Sequence, residues 1–435
     1  MSARNRELLI LALASIVASA AFASAWLAQA TAIDYGWLPW AALLGGVFLV
    51  AHVVARLTVP DADPTLLPIT ALLCAIGLTF LYRLDPEFGR KQLVWVAVGV
   101  TAFALVLLWL RFDYRILERY KYLFGVTAIV LLMLPSVPGL GRTINGVKLW
   151  VDVGPLQFQP GEFAKIFLVV FLAAYLRDKR EALARLSLKD VGPLLAIWGA
   201  AMLVLVQTSD LGSALLTFGI FLAMLYAATG RASFVAAGLV LFAGGAAVLY
   251  DALSRVQQRV TVWLEPWTDE KVYCALNGEM ELRQNCDSYQ LVKSLYSIAN
   301  GGYGGTGIGN GTFQTVDGTP LIPYLETDFV YSAIAQELGL IGAAAVLLCY
   351  LALVARGMRV ALIAQDGFSK LLAAGLSFGF ALQTFIIVGG VLRIVPLTGI
   401  TMPFVSYGGT SVVANFVMLA LLMLVSHRAV RHTRA

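Results

Sequence analysis

The sequence predicts an all-α polytopic membrane protein of about twelve transmembrane helices with one long extracytoplasmic loop. Three observations carry this reading. Hydrophobic residues make up 59% of the 435 and charged residues only 13%, with a mean hydropathy of +0.80, outside the range of ordinary soluble domains. Twelve apolar runs approach the roughly 20 residues that a bilayer-spanning helix needs. With a cytoplasmic N-terminus, nineteen Lys and Arg residues fall in inside segments and six in the short outside loops, which places both termini inside.

The runs fall at 8–29, 38–57, 66–82, 91–110, 119–135, 161–176, 191–207, 211–229, 232–250, 329–355, 369–391 and 407–426. The first is longer than a signal-peptide core and reads as a retained span. Residues 1–60 form two N-terminal helices, 61–428 a ten-helix core and 429–435 a cytoplasmic tail. The one long excursion, 251–328, lies outside; a loop of that size in a compact fold is either functional or disordered. Its stretches VQQRVTVWLEPW and SYQLVKSLYSIANGG read as amphipathic helices lying on the membrane surface, with Trp263, Trp267, Tyr289 and Tyr296 suited to the headgroup zone. Cys274 and Cys286 bracket ALNGEMELRQN there, in a setting that permits a disulfide; two free thiols are the alternative. The net charge of +5 is loop charge that orients helices, and no basic soluble domain exists to bind nucleic acid. No Cys or His cluster has zinc-ligand spacing, so any metal would be a carboxylate-held divalent cation such as Mg or Mn, and no organic cofactor is expected.

Two carboxylates stand where outward polar segments become helices. Asp328, in LIPYLETDFVYSAIAQELG, precedes the tenth run, and Asp210, in QTSDLGSALL, precedes the eighth. An Asp there is often only an N-cap, but the positive end of a helix also favours its ionised form, as a base or a cation ligand. The residues alone do not separate the two. In FQPGEFAKIF, Pro160 suits the first helical turn, and Glu162 and Lys165, three apart, share one helix face. An ion pair entering a membrane is either glue between helices or the wall of a site. GGYGGTGIGNG, from Gly301, has no preceding strand and no following Gly-Lys-Ser/Thr, so a hinge or tight multi-turn loop is favoured over a phosphate cradle. PLTGITMPFVSYGGTS breaks the chain before the last helix, as irregular backbone lining a cavity does. No histidine faces outward in this topology, which excludes a Ser-His-Asp acyl transferase.

Together these stretches resemble the SEDS family (shape, elongation, division and sporulation; the RodA, FtsW and SpoVE proteins), from about Asp63 to His427, and are most like the RodA branch preceded by two additional helices. GVKLWVDVGPLQFQPGEFAK matches the family's outer-loop motif at Trp150, Gln159, Pro160, Glu162 and Lys165, with Lys148-Leu149 where an Arg is expected and Gly161 for Ser. SDLGSALL matches at Asp210 and Gly212, the long loop at Arg259, Pro266, Gln290, Gly301 and Gly302, and IPYLETDFVYSAIAQELG at Pro323, Thr327, Asp328, Phe329, Glu337 and Gly339. Tyr324 stands where the family has Glu, with Glu326 nearby. The final motif matches at Pro396, Gly399, Pro403, Ser406, Gly408 and Gly409.

The resemblance implies a peptidoglycan glycosyltransferase that polymerises lipid II on the outer face of the plasma membrane, in cell elongation or shape, releasing undecaprenyl diphosphate. It implies Asp328 as the catalytic residue and a class B penicillin-binding protein, a transpeptidase, as partner. One carboxylate suffices because diphosphate leaves without protonation, so only the acceptor needs a base. Lys165, Arg259, Lys148 or a cation would then balance the diphosphate. Asp210, Glu162 and Glu337 would organise the substrate site or hold that cation, and Trp150, Gln290 and Ser406 would bind substrate with them. A lipid flippase and a noncatalytic scaffold for the transpeptidase are the rivals. The candidate residues gather at one face, whereas a transport path would distribute charge through the membrane depth.

Overall fold

A computed structural model describes residues 2–29, 34–144, 147–154, 156–181, 188–274, 279–315 and 318–434. Arg185, and the ALNG stretch between the two loop cysteines, lie outside the described residues. The helices in chain order are α1 (Ala3–Leu27), α2 (Leu38–Thr58), α3 (Leu66–Leu84), α4 (Pro86–Leu110), α5 (Ile116–Arg119), α6 (Lys121–Met133), α7 (Pro160–Asp178), α8 (Leu188–Gln207), α9 (Leu211–Thr229), α10 (Ala232–Ala252), α11 (Ser254–Leu264), α12 (Tyr289–Gly301), α13 (Val330–Ile363), α14 (Gly367–Val391) and α15 (Gly409–Arg434). Each expected apolar run coincides with a helix. Nine of the described helices are long and apolar enough to cross a membrane, so the protein is a multi-pass membrane protein. The other three runs fall on two shorter apolar helices, Lys121–Ser136 and Gly192–Gln207, and on α7, which carries Glu162 and Lys165 into its apolar length.

Local chemistry sets the ends. Asp85 caps α4 through the Glu87 amide at 2.8 Å with Pro86 in the first turn, and Asp366 caps α14 through Ser369 at 2.9 Å. The helices α3, α14 and α15 form the centre, with 72–83% of their apolar windows buried, whereas α1 has 17% and α10 only 6%. The peripheral helices therefore turn their apolar surface to lipid rather than to protein. The N-terminal pair is fastened at one end: buried Arg4 bonds Glu7 at 2.5 Å and the Ala62 carbonyl, and Glu7 meets His52 at 2.7 Å. The adjoining linker reaches the last helix, where the Asp63 amide donates to Ser426 at 2.9 Å and the Asp61 amide to His427 at 3.2 Å.

Two small antiparallel sheets depart from the all-α expectation. One has strands β1 (Gly141–Ile144), β2 (Val147–Val153) and β3 (Leu156–Phe158) in that spatial order; the other is the hairpin β4 (Lys271–Cys274) with β5 (Glu279–Leu282). The alternation Val147, Leu149, Val151 against Lys148, Trp150, Asp152 is the period-two signal of a strand. In the long loop, α11 and α12 are the two amphipathic helices expected there. Cys274 and Cys286 are disulfide-bonded, with Cα atoms 5.5 Å apart, and tie the hairpin to the start of α12.

The apolar run over α13 conceals a break. Gly339 has φ +67 and non-helical geometry within it. The glycine-rich loop satisfies the interrupted backbone: the Thr306 amide donates to the Gln336 carbonyl, Gly307 to Glu337 and Leu340 to Gly302, each at 2.9 Å. A Cβ at Gly305 would lie 2.1 Å from the Glu337 carbonyl oxygen, so only glycine permits this approach. The run is a tight packing loop whose Thr306, Gly307 and Gly311 amides are already engaged.

Candidate active site

The turn from Ile322 to Phe329 is held by burying Ile322, Leu325 and Phe329 on one side. Tyr324 takes φ +59, and its carbonyl accepts the amides of Thr327 at 3.2 Å and Asp328 at 3.0 Å. The Tyr407 amide donates to the Glu326 carbonyl at 2.9 Å, joining this turn to the final glycine-proline segment. The N-cap of α13 is Phe329, with no side-chain cap, so the Asp328 carboxylate is not consumed by helix capping. Asp210 differs: it caps α9, with Oδ1 accepting the Ser213 amide at 3.0 Å. This separates two residues that the sequence leaves equivalent.

Asp328 opens onto a cavity of about 240 Å³ lined by Arg259, Trp263, Asp287, Gln290 and Gly399 among others. Burial pushes the Asp328 carboxyl up to about 6, against the opposing pull of the Thr327 hydroxyl and the Arg259 charge. Arg259, on α11, has its own pKa lowered by burial, opposed chiefly by Asp210 and more weakly by Asp328, so one guanidinium serves both carboxylates. It is aimed by a bond from Nη1 to the Thr398 carbonyl at 3.1 Å. Gly399 beside it has φ +74, and a Cβ there would stand 3.6 Å from Asp328 Oδ2.

The remaining expected residues divide by location. Gln290 lines the cavity from the first turn of α12. Glu162 and Lys165 form a separate enclosed cluster: Lys165 Nζ donates to Glu162 Oε2 at 2.6 Å and Gln383 Oε1 at 2.9 Å, and Gln383 Nε2 to the Thr401 carbonyl at 2.8 Å. Burial raises the pKa of Asp210, and the Glu162 charge adds to the rise, so this cluster is electrostatically joined to the Arg259 side. Glu337, fully buried on α13, accepts the Gly311 amide at 3.1 Å and pairs with Arg83 at 3.2 Å; it secures the glycine loop rather than the cavity. Ser406 Oγ accepts the Met402 amide at 3.0 Å, within the final loop. Lys148 and Trp150 lie on β2, Lys148 exposed, and neither lines the cavity.

Three contributors are not marked as site residues by the sequence, in which Trp263 is expected only in the headgroup zone. Asp287 follows a bonded cysteine and lines the cavity. Trp263 does so too, and its indole donates to the Arg393 carbonyl at 3.1 Å. Arg393 returns bonds to the carbonyls of Trp263 at 2.6 Å and Leu264 at 2.7 Å, clamping α11 to the end of α14. In the sequence Arg393 counts only as an outside-loop charge, and its signal would have been its place beside the glycine-proline segment. Among the described residues no three His, Cys, Asp or Glu side chains gather as a metal group, although Asp287 and Asp328 share the cavity.

Known proteins resemble this chain in sequence and fold. "Peptidoglycan glycosyltransferase RodA" of Mycobacterium tuberculosis (strain H37Rv) is 41% identical over 457 residues, covering 99% of this chain and 92% of that protein. Among solved structures, a chain from work on the structural coordination of polymerization and crosslinking by a peptidoglycan synthase complex aligns with a TM-score of 0.68 at 25% identity, over 85% of this chain and 98% of its own. The rod shape determining protein RodA of Thermus thermophilus aligns at 0.59 and 25% identity, over 84% and 97%. The model of the FtsW/RodA/SpoVE family, described as cell cycle proteins, matches residues 64–431, and this chain belongs to that family.

Proposed function

We propose that this protein is a peptidoglycan glycosyltransferase that polymerises lipid II into glycan strands. The observation that carries the reading is Asp328: a carboxylate free of capping, with its pKa lifted to about 6, facing a cavity together with Arg259. A base near neutrality is suited to taking a proton from a sugar hydroxyl. The acceptor 4-hydroxyl attacks the anomeric carbon of a diphospholipid-linked sugar. Its proton passes to Asp328, and the anomeric carbon–oxygen bond breaks with the electron pair leaving on undecaprenyl diphosphate. Arg259 compensates the developing diphosphate charge. Lys165, held by Glu162 and Gln383, and Lys148, outside the cavity, leave that role to Arg259.

Asp287 would hold Mg in the common way, by one carboxylate plus substrate phosphates, leaving Asp328 as the base. A divalent cation there would add charge neutralisation to the leaving group. Asp210 and Glu162 organise the wall behind Arg259. The reading includes twelve crossings of the plasma membrane, cytoplasmic termini, an extracytoplasmic Asp328 and a class B penicillin-binding protein as partner. Lipid II polymerisation by the purified protein, with and without that transpeptidase and a chelator, tests it. Glycan strands on a gel support the enzyme, and their absence under all four conditions overturns it.

A further inference from the structure

The end of the bundle opposite Asp328 carries a second cavity. The start of α4 lies at the Asp328 end, since Phe88 packs on Tyr407 and Tyr407 bonds Glu326. Helices of this length place Leu110 and the last turns of α15 roughly 30 Å away. Between those far ends is a cavity of about 530 Å³ lined by Arg111, Phe112, Asp113, His427, Arg428 and Arg431 among others.

The charge in it is unbalanced. Asp113, its one carboxylate, accepts from Arg428 at 3.2 Å and faces Arg115 at 3.7 Å. Among the described residues Arg111 and Arg431 have no carboxylate partner; the Arg111 guanidinium instead lies over the Phe112 ring at 4.4 Å. His427 Nδ1 accepts the Asp61 amide at 3.2 Å and stands 3.5 Å from the Asp61 carboxylate, which lies outside the cavity lining; the other ring nitrogen is left as a donor. The cavity also has an apolar, exposed edge: Phe112, which lines it, is 82% exposed, and Trp109, two residues before Arg111 at the end of α4, is 76% exposed. Aromatic rings at that depth belong to the headgroup zone, and basic pockets between helix ends accommodate anionic headgroups. A soluble anion would need the arginines but not the apolar edge.

We infer that this cavity, walled by Arg111, Arg428 and Arg431 and edged by the exposed Phe112, binds the phosphate of an anionic phospholipid. The site lies outside the glycosyl-transfer machinery and does not depend on the assignment of Asp328. The test uses the full-length protein in detergent, titrated with phosphatidylglycerol, phosphatidylcholine or inorganic phosphate, read by native mass spectrometry and thermal unfolding. Phosphatidylglycerol binds and raises the midpoint, and phosphatidylcholine does not. The double substitution Arg111→Gln/Arg431→Gln weakens phosphatidylglycerol binding about 10- to 30-fold. Lys370→Gln, removing a charge at the same end outside the cavity, changes it less than about twofold, within the small effects of exposed charges. If the double variant unfolds earlier without lipid, Arg111→Lys/Arg431→Lys replaces it and retains binding. Equal response to phosphatidylcholine, undiminished binding by the Gln variant, an equal loss in Lys370→Gln, loss of binding in the Lys variant, or a matching response to inorganic phosphate would each overturn the assignment.

Discussion

Replacing Asp328 by Asn tests catalysis and electrostatics with one change. The carboxyl sits at about 6 in the folded protein against an ordinary 3.8, chiefly through burial. That displacement corresponds to about 3 kcal/mol disfavouring the ionised group, and access to solvent through the cavity reduces it to roughly 1–2 kcal/mol. The sign follows from proton linkage. A carboxyl raised on folding costs nothing below about pH 4, where it is protonated in both states, and its full cost appears as pH rises above about 6. Asp328→Asn has no charge to bury, so it should unfold at a higher temperature than the wild type at pH 8, with the advantage vanishing toward pH 4. Its activity should fall by about 10²- to 10⁴-fold, the usual contribution of a general base. Lipid II polymerisation on gels and thermal unfolding in detergent across that pH range measure both. A variant that polymerises at the wild-type rate refutes the base assignment; one less stable than wild type at pH 8 refutes the account of the raised pKa.

Four other outcomes are expected. Wild-type polymerisation should rise with pH through about 6, and Arg259→Gln, which removes the charge that draws the Asp328 pKa down, should move that acidic limb to higher pH; a pH–rate profile of both proteins checks it. Lys165→Met strands Glu162 and should cost about 3–5 kcal/mol, while Glu162→Gln with Lys165→Met should recover much of the loss, as measured by a double-mutant cycle on unfolding. Gly305→Ala drives a Cβ into the Glu337 carbonyl at a residue with φ +81 and should destabilise by roughly 3 kcal/mol or more, whereas a Cβ at neighbouring Gly304 meets nothing within 4 Å and Gly304→Ala should be near neutral. Cys274→Ser should loosen the wall that carries Asp287 and cost about 2–3 kcal/mol; alkylation with and without reductant counts the protected thiols, and a raised KM reports the wall.

The spans are legible because a bilayer demands long apolar runs, but their ends are less so: α4 starts at Pro86, capped by Asp85, five residues before its apolar run at 91–110. The break in α13 is not legible, because Leu338, Leu340 and Ile341 continue the apolar run straight through Gly339; only the distant glycine loop reveals where the backbone bonds go. The three-stranded sheet is hidden because the alternation from Val147 to Asp152 is short and is interrupted as a polarity signal by Trp150. Asp210 and Asp328 look alike in sequence because N-cap preference depends on residue type, whereas actual capping depends on backbone geometry at Tyr324 and Phe329. Asp287, Trp263 and Arg393 were obscured for a different reason. Their roles arise from contacts between α11, α12 and the end of α14 that no local pattern encodes.

The fastening of the N-terminal helices has a consequence for how the chain is made. Arg4, Glu7, His52 and the Ala62 carbonyl are all present once the first 62 residues have emerged, so that buried charge can be settled within the hairpin as it enters the membrane. The next two anchors cannot. The amides of Asp61 and Asp63 wait for His427 and Ser426, which arrive with the final helix. Segments more than 360 residues apart in the sequence thus meet at one seam, and a ribosome stalled before α15 would hold a bundle whose first hairpin is inserted but not yet locked.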